Sequence, residues 1–332
     1  MAMASRGFMN IDEIKRKILQ LLSQSPNLKH RKILLVYNPR SSRAAQVRER
    51  IFEPLREISG VMLGKYEVLP TDVDDNAEKL AKMLTDGDIV IAAGGDGTAT
   101  IGLNGVMLSN ADVRFMAVPF GNFNDTARTL AKASGKELYP LEALVNGKHY
   151  RFAACYFTLG MFAESTKVFD EAKMREKLRQ GNKGVFFSLR TLAFWYFRNR
   201  KARFLPDFEL VSRTGDGVAL KTCEASKKIL GVSDYLAVNG LSVAKIMKVR
   251  EGLFCSYDSF IATTGRLNKF TRLVGFMLAA VFKGIPGEKT AGDRLVFDGT
   301  AELEIQAEGE YKRLKNVHEI IIRKAEKSVK IL

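Results

Sequence analysis

Apolar residues along this 332-residue chain fall into two textures. From Lys32 to about residue 135, short continuous apolar runs alternate with stretches of helical spacing. Residues 33–37 (ILLVY) and 88–93 (DIVIAA) read as strands buried on both faces of a parallel sheet. Residues 66–69 and 114–118 are two further strand candidates, the second stopped by Pro119. Helical spacing covers 43–58, with a kink at Pro54, and 75–84, 98–108 and 125–131. This alternation predicts a doubly wound, mostly parallel α/β sheet. Ahead of it, Ile11, Ile14, Ile18, Leu21 and Leu22 line one face of a helix that starts at Asn10, with Glu13 at capping-box spacing.

After about residue 135 the runs shorten and alternate. Strands are expected over 150–159, 208–211, 236–238, 253–261, 294–297, 302–306 and 318–323, with turns at 215–217 and 239–240. That pattern predicts an antiparallel β domain. Two helical segments interrupt it, near 166–199 and over 267–282. In the second, Phe270, Leu273, Val274, Met277, Leu278, Val281 and Phe282 keep helical spacing and read as a packing face.

Charge sharpens this division. The chain holds 52 Lys/Arg against 37 Asp/Glu, a formal net charge of +15. Residues 1–135 are nearly balanced, with 18 basic against 15 acidic groups. Residues 173–203 alone hold 10 basic groups and one acid, Glu176, among Phe186, Phe187, Phe194, Trp195, Tyr196 and Phe197. So local a basic excess implies an anionic partner: a phospholipid surface, nucleotide phosphates or nucleic acid. No nucleic-acid module is present, and none is expected as partner. Cys155, Cys223 and Cys255 are far apart, which excludes a Cys-rich zinc site and a disulfide framework and suggests a reducing compartment. The start lacks the apolar core of a secretory leader, and no charge-free apolar stretch reaches the length of a membrane span.

The chemistry concentrates at Gly94-Gly95-Asp96-Gly97-Thr98, which follows a buried strand and opens a helix. Its glycines let backbone N–H groups approach an anion such as a phosphate, and the helix N-terminus adds a favourable field. A carboxylate there repels phosphate unless it binds Mg²⁺ or a substrate hydroxyl, which gives Asp96 a role. The chain has no GxxxxGK[ST], no GxGxxG and no HRD loop. That argues against P-loop enzymes, dinucleotide-binding dehydrogenases and protein kinases.

The GGDGT segment resembles that of the diacylglycerol kinase catalytic-domain family of lipid kinases. Asn38-Pro39-Arg40-Ser41-Ser42 resembles the family's N-P-x-[SA]-G loop. The segment from Pro119 to Arg128 resembles P-x-G-T-x-N-D-F-A-R, and Glu308-Gly309-Glu310 resembles D-G-E. The resemblance implies an α/β ATP-binding domain over 31–135, after an N-terminal helix and linker over 1–30. It implies a β-sandwich-like lipid-substrate domain over 136–332, whose extreme C-terminus is a candidate to pack back on the first. By the same resemblance Asn38, Pro39, Ser41, Ser42, Gly94, Gly95, Asp96, Gly97, Thr98, Gly121, Asn122, Asn124, Asp125 and Glu308 contact the nucleotide. Asp96 and Asp125 belong to a Mg²⁺ network, and Asp96 and Glu310 are catalytic, Glu310 as general base.

The implied activity is transfer of the γ-phosphate of ATP to a lipid hydroxyl, with diacylglycerol as first choice. A cytoplasmic kinase associated peripherally with an anionic membrane follows, and a homodimer is compatible. Several positions depart from the family. Asn122 replaces Thr, Thr126 replaces an aromatic in what reads as a packing change, and Thr100 and Ile101 stand where an Asn-Glu pair is common. Glu308 replaces Asp, no Asp occupies the strand around Phe152, and residues 248–252 lack the aspartates of a structural Mg²⁺ site. Two alternatives stay open at this point: NAD kinase, which shares GGDGT, and a catalytically degenerate lipid- or nucleotide-binding protein of the same fold.

Overall fold

The computed structural model describes residues 11–24, 32–58, 62–121, 124–160, 163–164, 166–167, 191, 205–214, 223–232, 234–242, 257–262, 287–290 and 292–332. The helix expected over 267–282, the turn at 215–217, nearly all of 166–199 and the segment 248–252 lie outside these residues. The chain divides into two compact units, Met1–Pro140 with Glu326–Leu332, and Leu141–Ala325.

In the first unit, α1 (Ile11–Gln24) buries Ile14 and Ile18 completely, as their four-residue spacing on one face requires. The run at 33–37 becomes β1 (Lys32–Tyr37), buried from Ile33 through Val36. The helix expected over 43–58 forms in three pieces: α2 (Ala44–Val47), a π-helical turn at Arg48–Phe52, and α3 (Glu53–Arg56). The widened turn leads into Pro54, which has no N–H to return to the helix and whose ring crowds the carbonyl behind it. Then come β2 (Met62–Glu67), α4 (Val73–Ala81), β3 (Ile89–Gly94), α5 (Asp96–Leu108), β4 (Arg114–Pro119), α6 (Asp125–Lys132) and β5 (Glu137–Leu138).

The sheet runs in the order β2, β1, β3, β4, the chain's final strand Val329–Ile331, and β5. All its pairings are parallel except that of the final strand with β5. From β1 the chain steps to β2 on one side and to β3 on the other. The strand order therefore reverses at β1, and a crevice opens beyond the carboxyl ends of β1 and β3. β2 starts four residues before the expected strand at 66–69 and ends at Glu67. It lies at the sheet edge with one face exposed, Met62 to 62%, so it lacks the continuous apolar signature of its neighbours.

α5 is buried along ten consecutive residues, Thr98 to Met107. Phe115 packs directly over Gly102, where a Cβ would meet its ring at 2.7 Å. Lys327 Nζ donates to the carbonyls of Met107 and Ser109 at the end of this helix, a cation on the negative end of the dipole. Burial there pulls the Lys327 pKa below its ordinary value. The helix that opens at Asp96 is thus fixed along its length and at its far end.

The second unit is an antiparallel sheet. Its strands are β6 (Leu141–Val145), β7 (Lys148–Ala153), β8 (Tyr156–Gly160), β9 (Phe208–Thr214), β10 (Cys223–Ile229), β11 (Asp234–Asn239), β12 (Tyr257–Ala262), β13 (Gly287–Thr290), β14 (Arg294–Ala307) and β15 (Glu310–Lys324). The order is β13, β12, β11, β8, β14, β15, β6, β7, with β9 joining β14 to β10. β14 is shared. Its first residues, Arg294–Phe297, pair with β9, and Ile305–Ala307 pair with β8. Phe157, Leu159, Tyr235, Leu295, Ile305 and Ile320 are fully buried in the core of this unit.

Three expectations are corrected here. The single strand at 150–159 is two, β7 and β8, broken at Ala154 and Cys155, because β7 pairs with β6 while β8 pairs with β11 and β14. The strands at 294–297 and 302–306 are one, β14. The polar stretch Asp298-Gly299-Thr300 between them is an irregularity in its ladder, with Gly299 at φ 79°. The strand at 318–323 is the second half of β15, whose first half is largely polar and carries no alternation signal. No helix among the described residues is long and apolar enough to cross a membrane.

Candidate functional site

Three loops of the first unit leave the carboxyl ends of adjacent parallel strands. Asn38–Arg43 follows β1, Gly95 follows β3, and Phe120–Asn124 follows β4. Topology alone brings these three sequence motifs to one edge of one sheet.

The middle loop is the shortest. Gly94 ends β3 and Gly95 is the N-cap of α5, with no side chain to bond the first turn. The N–H groups of that turn therefore have no capping side chain. Thr98 folds back over Gly94 so closely that any Cβ there would collide with its side chain. Gly95 lies flat against Gly121: a Cβ on Gly95 would meet the Gly121 Cα at 3.3 Å. The floor of the site is bare backbone from two loops.

The third loop is held to that floor by hydrogen bonds. Phe120 N donates to Gly94 O at 2.7 Å. Asn124 takes a left-handed conformation, φ 59°, which Asn tolerates better than most residues. From it the side chain accepts from Gly121 N at 2.7 Å and donates to Gly121 O at 2.9 Å. Asn124 thereby closes the loop as well as preceding α6. Asn122 lies outside the described residues.

Asp96 joins the two loops through its carboxylate. Oδ1 accepts from Thr126 N at 2.9 Å, and the Thr126 hydroxyl and Asn124 N–H also favour the charged form. Burial outweighs these donors and pushes the Asp96 pKa up, and the nearby Asp125 carboxylate pushes it the same way. Asp125 itself sits 3.5 Å from Arg128 Nη1. Asp96 and Asp125 are thus the two carboxylates beside this backbone floor that could hold a divalent cation. Among the described residues no group of three or more His, Cys, Asp or Glu side chains could hold a metal by itself.

The first loop is a compact turn. Ser41 N donates to Asn38 O at 3.0 Å, and Asn38 Oδ1 accepts from Arg40 N at 3.0 Å. Pro39, Ser41 and Ser42 are exposed. Ser42 stands where the family motif has Gly, yet its φ is not positive, so the turn accepts a side chain there. Ile101 and Thr100, in place of the common Asn-Glu pair, are buried in α5, and the Thr100 hydroxyl donates to Asp96 O within the helix.

Glu308 and Glu310 belong to the second unit, at the turn between β14 and β15. Glu308 is 4% exposed and left-handed, at φ 52°. Its carboxylate accepts from Cys155 N at 2.6 Å, which fixes the turn to the loop between β7 and β8. Glu310 pairs with Ala307 at the start of β15 and is partly exposed.

Two contacts have no counterpart in the motif reading. Thr126, expected to matter only for packing, gives Asp96 both its N–H and its hydroxyl, and an aromatic could supply only the first. Arg43, just past the first motif, donates from Nη1 to Phe120 O and Gly121 O, each at 3.2 Å. Its basic character and its place beside the motif were the only signals in the sequence.

Comparison with known proteins agrees with this geometry. Residues 32–156 match the family model for the diacylglycerol kinase catalytic domain. Over 98 residues, 29% of this chain, it is 30% identical to the mitochondrial acylglycerol kinase of Mus musculus and 29% identical to that of Homo sapiens. The matched stretch spans only 23% and 22% of those relatives' own lengths. Among solved structures, one from Bacillus anthracis str. Sterne, provisionally described as a diacylglycerol kinase, superposes with a TM-score of 0.55 at 14% identity, covering 91% of this chain and 97% of that one. Another from the same organism, reported as a diacylglycerol kinase, gives 0.52 at 16%, covering 90% and 96%. These two likenesses show a shared fold. The match to that family model, over residues 32–156, takes in the GGDGT, Asn38 and Asn124 segments that resemble the family.

Proposed function

We propose that the protein is an ATP-dependent lipid kinase that transfers the γ-phosphate to the hydroxyl of a lipid alcohol, with diacylglycerol as the first acceptor to test. The observation that carries this reading is the partly buried carboxylate of Asp96 at the head of α5. It is flanked by Asp125 and set beside the bare backbone of Gly94, Gly95 and Gly121. A carboxylate is costly there by itself. It is useful where a cation and phosphates share the charge.

In this reading the backbone of residues 94–98 and of Gly121 cradles the phosphates and the Asn38–Ser42 turn flanks the nucleotide. Asp96 and Asp125 are the residues that would hold Mg²⁺, which would offset phosphate charge. The bond between the γ-phosphorus and the bridging oxygen to the β-phosphate breaks, and a bond from the acceptor oxygen to phosphorus forms. Glu310, assigned by the D-G-E motif, accepts the acceptor's proton late in a loose transition state. Glu308, its carboxylate engaged by Cys155 N, supports the turn that carries Glu310. A lipid acceptor brings the protein to a membrane surface. The basic segment 173–203 supplies charge for an anionic one.

The test is transfer of radiolabel from γ-labelled Mg-ATP to a panel of lipid alcohols, with NAD as a control acceptor. Labelled phosphatidic acid from diacylglycerol is the expected product. Labelled NADP with no labelled lipid would overturn the reading in favour of NAD kinase. Glu310→Gln is expected to lower kcat about 10²-fold with the KM for ATP within twofold of wild type. An unchanged kcat would remove Glu310 from the mechanism.

A further inference from the structure

We propose that Arg43 is a positioning residue for the phosphate cradle: its guanidinium sets where the Phe120–Gly121 backbone lies, and through it the fit of the cradle to a nucleotide. The inference rests on the nucleotide reading of that cradle and adds a residue that none of the motifs includes.

Arg43 Nη1 bonds two consecutive carbonyls, Phe120 O and Gly121 O, both at 3.2 Å. These carbonyls flank the point where Gly121 meets Gly95. Gly121 O also accepts from Asn124 Nδ2 at 2.9 Å, so both of its lone pairs are used. Phe120 donates its N–H to Gly94 O and its carbonyl takes Arg43. Both peptides are thus held from two sides, by Asn124 and β3 on one and by Arg43 on the other. Arg43 is anchored in turn, its N–H donating to Ser41 Oγ at 3.3 Å within the first loop. One half-buried cation therefore couples the loop after β1 to the loop after β4. Bonds from a charged donor are about twice as strong as neutral ones. Truncation leaves two partly buried carbonyls without that donor and frees the loop to drift from the floor.

The test uses the full chain and the variants Arg43→Ala and Arg43→Lys. In protein without nucleotide, Arg43→Ala is expected to speed amide exchange across residues 120–126 at least tenfold, with exchange in α4 unchanged. It is also expected to raise the Kd for a fluorescent ATP analogue and the KM for ATP about tenfold each, with the KM for the lipid acceptor unchanged. Ethylguanidinium in solution should recover part of the lost ATP affinity in Arg43→Ala, and Arg43→Lys should fall between the two. Unchanged exchange over 120–126 overturns the proposal, as does an increase spread equally over α4. So does an unaltered ATP affinity in a variant whose loop does exchange faster. Wild-type protein that binds no ATP analogue instead overturns the nucleotide reading, and the exchange measurement then still decides whether Arg43 positions the loop.

Discussion

Asp96→Asn is expected to lower phosphoryl transfer by about 10²–10³-fold and to leave the melting temperature of the nucleotide-free protein at or above that of wild type. The two halves of this result have one cause. Burial raises the Asp96 pKa and the neighbouring Asp125 adds to the rise, so the ionised group costs folding free energy. Asparagine keeps the shape and an oxygen to accept from Thr126 N, the 2.9 Å bond seen for Oδ1, and discards the charge. An acid with a raised folded-state pKa binds more protons folded than unfolded in the interval just above the ordinary carboxylate range. This contribution to stability is present below that interval and is lost as pH rises through it. The variant should lose that component of the pH dependence. Thermal melts of both proteins from pH 4 to pH 8, alongside turnover with Mg-ATP and diacylglycerol, check both halves. Transfer that survives the substitution sinks the assigned role. A melting temperature lowered by several degrees sinks the claim that the charge is kept for function rather than for the fold.

Legibility of the fold followed burial on two faces. β1, β3 and β4 are interior strands of a parallel sheet, and their continuous apolar runs mark them within a residue or so. β2 is an edge strand with one covered face, and its first four residues, Met62-Leu63-Gly64-Lys65, carry no run to find. The second unit is less legible for a similar reason. β14 crosses Asp298-Gly299-Thr300 without ending, and β15 begins on polar residues, because long antiparallel strands can leave part of one face to water. Neither irregularity changes the hydrophobic pattern of the buried halves, Arg294–Phe297 and Leu303–Ala307, which is what the sequence displays.

The site divides along another line. Gly94-Gly95-Asp96-Gly97-Thr98 is legible because its function is local: glycines, a carboxylate and a helix start in five residues. Arg43 is not, since its partners are the backbone carbonyls of Phe120 and Gly121, 77 and 78 positions away. A carbonyl has no side-chain signature, so only the sheet order that lays β1, β3 and β4 together reveals the pair. Thr126 is visible in the sequence, but its role is not. As a replacement for an aromatic it suggests packing, and only the position of Asp96 across the loop shows what the hydroxyl does.

Gly121→Ala is expected to destabilise the first unit by about 1–3 kcal/mol and to lower affinity for ATP more than tenfold, whereas Gly95→Ala should have a smaller effect on both. The asymmetry comes from where each added methyl would go. On Gly95 it meets the Gly121 Cα at 3.3 Å, a tight contact that a shift of a few tenths of an ångström relieves. On Gly121 it falls well inside contact with the Gly95 Cα, 3.2 Å from Gly95 N and 2.8 Å from Asn124 Oδ1. Two of these three atoms are backbone at the mouth of a buried helix, and no rotamer change can move them. The third is the oxygen that accepts from Gly121 N, so the methyl also pushes on the bond that closes the loop. The loop must lift from the floor, stretching the 2.7 Å bond from Phe120 N to Gly94 O and dragging the N-terminus of α6 off the Asp96 carboxylate. Denaturant melts and titration with a fluorescent ATP analogue, run on both variants, separate these effects. Wild-type affinity in Gly121→Ala would show that the contact between the two glycines does not shape the cradle. Equal losses in the two variants would show that the direction of the added methyl is irrelevant, and with it the geometry on which the cradle is built.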